Sequence, residues 1–236
     1  MRFERLLLSS LAIPFAVASA APSQAAEAAA AAAPNPLPPV FLDEGFRRAV
    51  PSHAQAAIEP SNVASPNLEL KVYGLDAKDL TISGMGVPGD LINLWSGMTT
   101  EPTAATLRDK ANYVDLSGRA KIRWTVRTSG FHEVRPVIRL ADGTLLVGDH
   151  GDSSPTLFNE TEFAIAELRW VKLDPERVVT RGGSGKTGTA ARWYENPDLT
   201  RVDEVGFVDL MPGSGHGQGG YVNVAHIEVY GVPVKR

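Results

Sequence analysis

Residues 119–127 read Arg-Ala-Lys-Ile-Arg-Trp-Thr-Val-Arg, a strict alternation with period two. Ala120, Ile122, Trp124 and Val126 fall on one side; Arg119, Lys121, Arg123, Thr125 and Arg127 fall on the other. Successive side chains of a strand point to opposite faces, so the segment predicts a half-buried β-strand with a cationic outer surface. A helix would scatter the same apolar residues around its axis. The pattern therefore selects a sheet with one wet face.

The rest of the chain supports that class. Short alternating or apolar runs at 68–74, 79–83, 90–95, 112–116, 134–140, 145–147, 163–165, 169–173, 203–211 and 221–230 are separated by Gly, Pro and Asp turns. Asp142-Gly143 between two of these runs is a hairpin signal. About ten short strands with little helical periodicity predict an all-β, antiparallel β-sandwich or jelly roll over residues 61–236. No internal repeat is evident.

What precedes it reads differently. Arg2 and Arg5 form a short positive region before an apolar stretch at 6–17, which is followed by Ala18-Ser19-Ala20. That is the layout of a secretory signal peptide over residues 1–20, and its apolar stretch is too short to span a bilayer. Residues 21–60 read as an Ala/Pro-rich linker, extended and semi-rigid at Pro34-Asn-Pro-Leu-Pro-Pro39. A short helix is expected to dock over 41–58. The mature protein is expected to be exported, periplasmic or extracellular, with no membrane span.

Composition narrows the chemistry. The chain has no cysteine, which removes disulfides, thiolate metal sites and cysteine nucleophiles. Loss of residues 1–20 takes away two arginines and one glutamate, moving the formal net charge from −4 to −5. A mildly acidic protein is a poor nonspecific nucleic-acid binder.

Four segments carry the likeness to a known family: Val114-Asp-Leu-Ser-Gly-Arg-Ala-Lys-Ile-Arg-Trp124, Val137-Ile-Arg-Leu-Ala-Asp-Gly143, Val205-Gly-Phe-Val-Asp-Leu-Met-Pro-Gly213 and Ala225-His-Ile-Glu-Val-Tyr-Gly231. They resemble galactose-binding-like jelly rolls, often found as carbohydrate-binding domains of secreted bacterial proteins. The resemblance covers roughly residues 68–232 and its motifs are structural rather than catalytic. It implies glycan binding through loops at one end, and it allows a structural calcium as cofactor. It supplies no ligand motif to carry over.

Four candidate sites follow. If the 134–140 strand pairs beside the 119–127 strand, Arg135 and Arg139 extend the basic face of Arg119, Lys121, Arg123 and Arg127, a platform for an acidic polysaccharide; the plainer reading is a solvated face neutralised by neighbouring carboxylates. Asp149, His150 and Asp152 gather oxygen and imidazole ligands in one loop, either for a cation or as a hydrogen-bonded turn. The glycine-rich loop 211–220 presents His216 and Gln218, with Trp193 and Tyr194 as aromatic faces able to stack on a sugar ring. Finally, 180–187 ends like a phosphate-binding loop, but Thr180 stands where that motif needs glycine, so nucleotide binding is rejected.

No Gly-x-Ser-x-Gly elbow or His-Glu-x-x-His pair is present. The expected function is a secreted carbohydrate-binding module without catalysis of its own. The alternatives are a glycan-active lyase or hydrolase using His132, His150 or His216, and a structural cell-envelope interaction protein.

Overall fold

The computed structural model describes residues 36–180, 193–212 and 219–236; residues 1–20, which the sequence reads as a signal peptide, lie outside them. Among the described residues the chain runs through β1 (Val40–Glu44), β2 (Ala56–Ala57), β3 (Leu68–Tyr73), β4 (Thr81–Ser83), β5 (Asn93–Trp95), β6 (Thr103–Asp109), β7 (Asn112–Asp115), β8 (Lys121–Ser129), β9 (Arg135–Leu140), β10 (Leu145–Gly148), β11 (Asn159–Ala164), β12 (Trp170–Lys172), β13 (Val202–Asp209), β14 (Tyr221–Tyr230) and β15 (Val232–Lys235). They form two antiparallel sheets packed face to face, a jelly-roll β-sandwich. The fold is the one the alternation predicted.

The first sheet has the order β11-β8-β14-β5-β4-β2, and β1 also pairs with β14, beyond β5 on the same edge. The second has the order β12-β10-β9-β13-β6-β3, with β7 joining β13 at Val202 and β15 pairing β7. On β8, Ile122, Trp124, Val126 and Thr128 are buried while Lys121, Arg123, Thr125 and Arg127 are half-buried on the outer side. The inner residues meet Ile227 and Val229 of β14 and, from the second sheet, Ile138, Leu146, Val205 and Phe207 in one core.

A second apolar cluster lies elsewhere. Ala104, Val137, Leu145, Val147 and Val208 pack with Leu173 and Val178 of the segment after β12. In strand register these residues alternate with the inward-facing Ala105, Ile138, Leu146 and Phe207, so they occupy the outer face of the second sheet. Its central strands are thus covered on both faces, and β13 is buried at every position from Glu204 to Asp209.

Three expectations change. Residues 41–58 form no helix: the segment opens as β1, and the unit that contains the sandwich begins at Leu37 rather than at 61. Gly45 and Pro51 deny a helix its interior, while β14 offers β1 a free edge. β9 does not lie beside β8 but crosses to the second sheet between β10 and β13. β6 was not anticipated, because Thr-Ala-Ala-Thr-Leu-Arg-Asp does not alternate in polarity when both faces are covered.

The Asp142-Gly143 hairpin is present. Gly143 adopts φ +86°, Thr144 N–H donates to Asp142 Oδ1 at 2.8 Å, and β9 and β10 pair on either side. The Leu116-Ser-Gly turn precedes β8, with Gly118 at φ +65° and Arg119 in the turn rather than on the strand.

Candidate functional site

β12 is an edge strand of the second sheet, and residues 193 and 194 add to it. Val171 forms a bridge with Trp193, and Tyr194 N–H donates to the Trp170 carbonyl at 2.7 Å. This places Trp193 beside Arg169, whose guanidinium carbon lies 3.9 Å from the indole centroid. That is cation–π range. Asp149 fixes the arginine: its two oxygens accept from Arg169 N–H at 2.9 Å and Nε–H at 3.1 Å. Burial works against the charge of Asp149, but the bonds from Arg169 outweigh it and hold the carboxyl below the usual range.

Trp193 remains 42% exposed and borders a cleft of about 460 Å³. The lining includes Leu168, Arg169, Trp170, Tyr194 and Glu195. Trp170 is 2% exposed, and its indole N–H is buried without an acceptor. The cleft offers a flat apolar ring, a donor fork and a carboxylate. Such a mixture suits a small polar molecule with one apolar face.

The acidic loop divides between two tasks. Asp149 holds Arg169, whereas Asp152 accepts from Trp124 Nε1–H at 2.7 Å and Thr161 Oγ–H at 2.6 Å, with His150 Nε2 at 2.8 Å. His150 stacks on Phe163 at 4.1 Å between centroids. Burial opposes the charge on Asp152, but the bonds from Thr161, His150 and Trp124 together keep its carboxyl below the usual range. No group of three His, Asp or Glu side chains able to hold a metal ion gathers among the described residues.

The basic residues do not form one platform. Arg135 and Arg139 lie on β9 in the second sheet, away from β8. Arg135 pairs with Glu133 at 2.8 Å, and Arg139 with Glu204 at 3.1 Å. On β8, Lys121 pairs with Glu162 at 2.9 Å, Arg123 Nε–H donates to Glu228 at 2.7 Å, and Arg127 lies over the Phe158 ring. The cross-strand carboxylates come from β11 and β14, which flank β8. The strip is a neutralised outer face.

Two further polar hubs were missed. His132, Asp209 and Ser96 are all buried, with His132 Nδ1 and Ser96 Oγ–H at 2.7 and 2.9 Å from Asp209 Oδ2. His132, named as an acid–base group for the enzyme alternative, is therefore not at the surface. On the outer face of the second sheet, buried Glu204 accepts from Tyr73 at 2.6 Å and Thr106 at 2.5 Å. Burial first, then the bond and the charge of Glu204, push the Tyr73 phenol up to about 12 against the pull of Arg139. A folded value above the unfolded one near 10 gives stability that is complete below about pH 10 and lost as pH rises through about 12. Phenolate absorbance, as the difference between wild type and Tyr73→Phe, should show this one tyrosine titrating near 12.

His216 and Gln218 lie outside the described residues, as does most of the 180–187 loop. Trp193 and Tyr194 come together with Asp149, and Arg169 and Trp170 complete the cleft. Nothing in the sequence links Arg169 to Trp193, since their meeting depends on a long-range addition to the sheet edge.

No protein-family model and no curated protein matches the chain. Among solved structures, the chain is similar to a family 11 carbohydrate-binding module from Clostridium thermocellum in complex with a β-1,3-1,4-mixed-linked tetrasaccharide, at 16% identity and TM-score 0.41, covering 80% of this chain and 100% of that one. It is also similar to an exo-β-agarase, at 11% and 0.40, covering 77% of this chain and 25% of that one. An arabinose-bound α-L-arabinofuranosidase follows at 14% and 0.37, covering 79% and 26%.

Proposed function

We propose that this domain is an exported module that binds carbohydrate in the Trp193 cleft and performs no catalysis of its own. One observation carries the reading: an exposed indole is held in place by Arg169 and Asp149 at the edge of a 460 Å³ cleft. Arg169 covers one face of the ring and leaves the other for a sugar. Pyranose rings present C–H groups on their faces and hydroxyls around their rims. Stacking then satisfies the ring, while Arg169 and Glu195 serve the hydroxyls. Support for export comes from the Arg2–Ala20 segment.

The lyase or hydrolase alternative draws its acid–base group from three histidines. His132 is 1% exposed and bound to Asp209, and His150 is bound to Asp152. The binding reading needs none of them.

The test is a panel of neutral and acidic oligosaccharides, titrated by calorimetry beside assays for reducing ends and unsaturated products. Saturable binding without turnover is expected, and Trp193→Ala should weaken it by about tenfold or more. Turnover of any glycan would replace this reading with the enzyme. Absence of binding across the panel, or unchanged affinity in Trp193→Ala, would remove the cleft from the account.

A further inference from the structure

At the opposite edge of the second sheet the sandwich opens. β3 ends that sheet, and β4 with β2 ends the other. Between them lies a cavity of about 620 Å³ lined by Ile58, Val63, Leu68, Leu70, Val72 and Leu80. Its floor is the main core, to which Val63, Leu68 and Leu80 belong and against which Ile58 and Leu70 pack. Leu68, Leu70 and Val72 are alternate residues of β3, so the apolar wall follows one strand for about 13 Å. Val72 stays 39% exposed there. The volume is within the range of small-molecule sites, about 300–1,000 Å³.

Four charged residues stand in the lining, and three are engaged. Lys110 Nζ donates to the Pro66 carbonyl at 2.7 Å, Glu69 pairs with Lys71 at 2.5 Å, and Glu59 closes a capping box on the short helical turn at 60–62. Lys78 makes no hydrogen bond or ion pair among the described residues. Asp76, whose carboxylate feels its charge, already accepts from Thr100 and Glu101 N–H groups. A long apolar slot with one unpaired ammonium in its lining complements an amphipathic anion.

We propose that this cavity binds a linear alkyl carboxylate, a free medium-chain fatty acid, with its chain along β3 and its carboxylate at Lys78. The site is independent of the Trp193 cleft, which lies at the far edge of the same sheet. Extended alkyl chains match a straight wall, and each buried methylene should raise affinity about fourfold.

The experiment titrates decanoate, dodecanoate and dodecanol, each below its aggregation concentration, into the full protein by calorimetry. One site is expected, with dodecanoate binding roughly fifteenfold tighter than decanoate and tighter than dodecanol. Ala77→Trp and Val72→Trp, two independent fillings of the slot, should each abolish binding while a cooperative melt is kept by at least one. Lys78→Gln should reduce dodecanoate to the affinity of dodecanol. No saturable binding, or binding that survives in a folded filled variant, overturns the site; equal affinity of acid and alcohol in wild type overturns the role of Lys78.

Discussion

Trp124→Ala is expected to lower the stability of the domain by about 4 kcal/mol, read as a fall of roughly 10 °C in the thermal midpoint. The ring is fully buried between the sheets, meets Phe163 edge-on at 4.8 Å, and donates its N–H to Asp152. Truncation opens a cavity the sheets cannot close, and it strips a half-buried carboxylate of one of its partners. Trp124→Phe separates the two effects. It keeps most of the volume and loses the donor, which should cost about 1–2 kcal/mol. The acid limb distinguishes the variants further. Because Asp152 titrates lower in the folded protein, its contribution is complete above about pH 4 and is lost as pH falls through the folded value. Trp124→Phe should shift acid unfolding to higher pH, and circular dichroism against pH measures it.

Gly206→Ala should be nearly as damaging, at about 3 kcal/mol or more, although it adds a single methyl group. Gly206 lies on β13 opposite Thr106, in the middle of the second sheet. A Cβ built there would stand 2.0 Å from the Ala105 carbonyl oxygen and 2.5 Å from the Thr106 Cα. Both atoms are backbone, so no side-chain rotation relieves the clash. β13 and β6 would have to part, and with them the bonds flanking Glu204. Denaturant unfolding should show a large drop in midpoint. An unchanged midpoint would mean that the two strands are farther apart than described.

The alternation at 121–129 was legible because one face of β8 is wet and the other dry. Where that contrast fails, so does the reading. β6 carries Ala104, Ala105 and Thr106 buried in succession, since the second sheet is covered outside by Leu173 and Val178. The two strands that carry the arginines looked adjacent because they are neighbours in sequence. The chain crosses from the first sheet to the second between β8 and β9, and no side chain on β9 announces this. For the site, Trp193 and Tyr194 were recognisable by type. Their neighbours Arg169 and Trp170 were not, because the cleft exists only once residues 193–194 add to β12.

The way β14 is shared has a mechanical consequence. Its outer edge is divided between β5 and β1, and Gly231 N–H reaches the Pro39 carbonyl where β1 begins. Tension on the chain from the Leu37 side, with the sandwich held elsewhere, falls first on that bond and then on the Val40–Tyr230 pair. β1 would peel from β14 rung by rung instead of shearing all at once. It is a tear-strip, and the sheet beneath it keeps β8 as a full-length partner for β14 after the strip has gone.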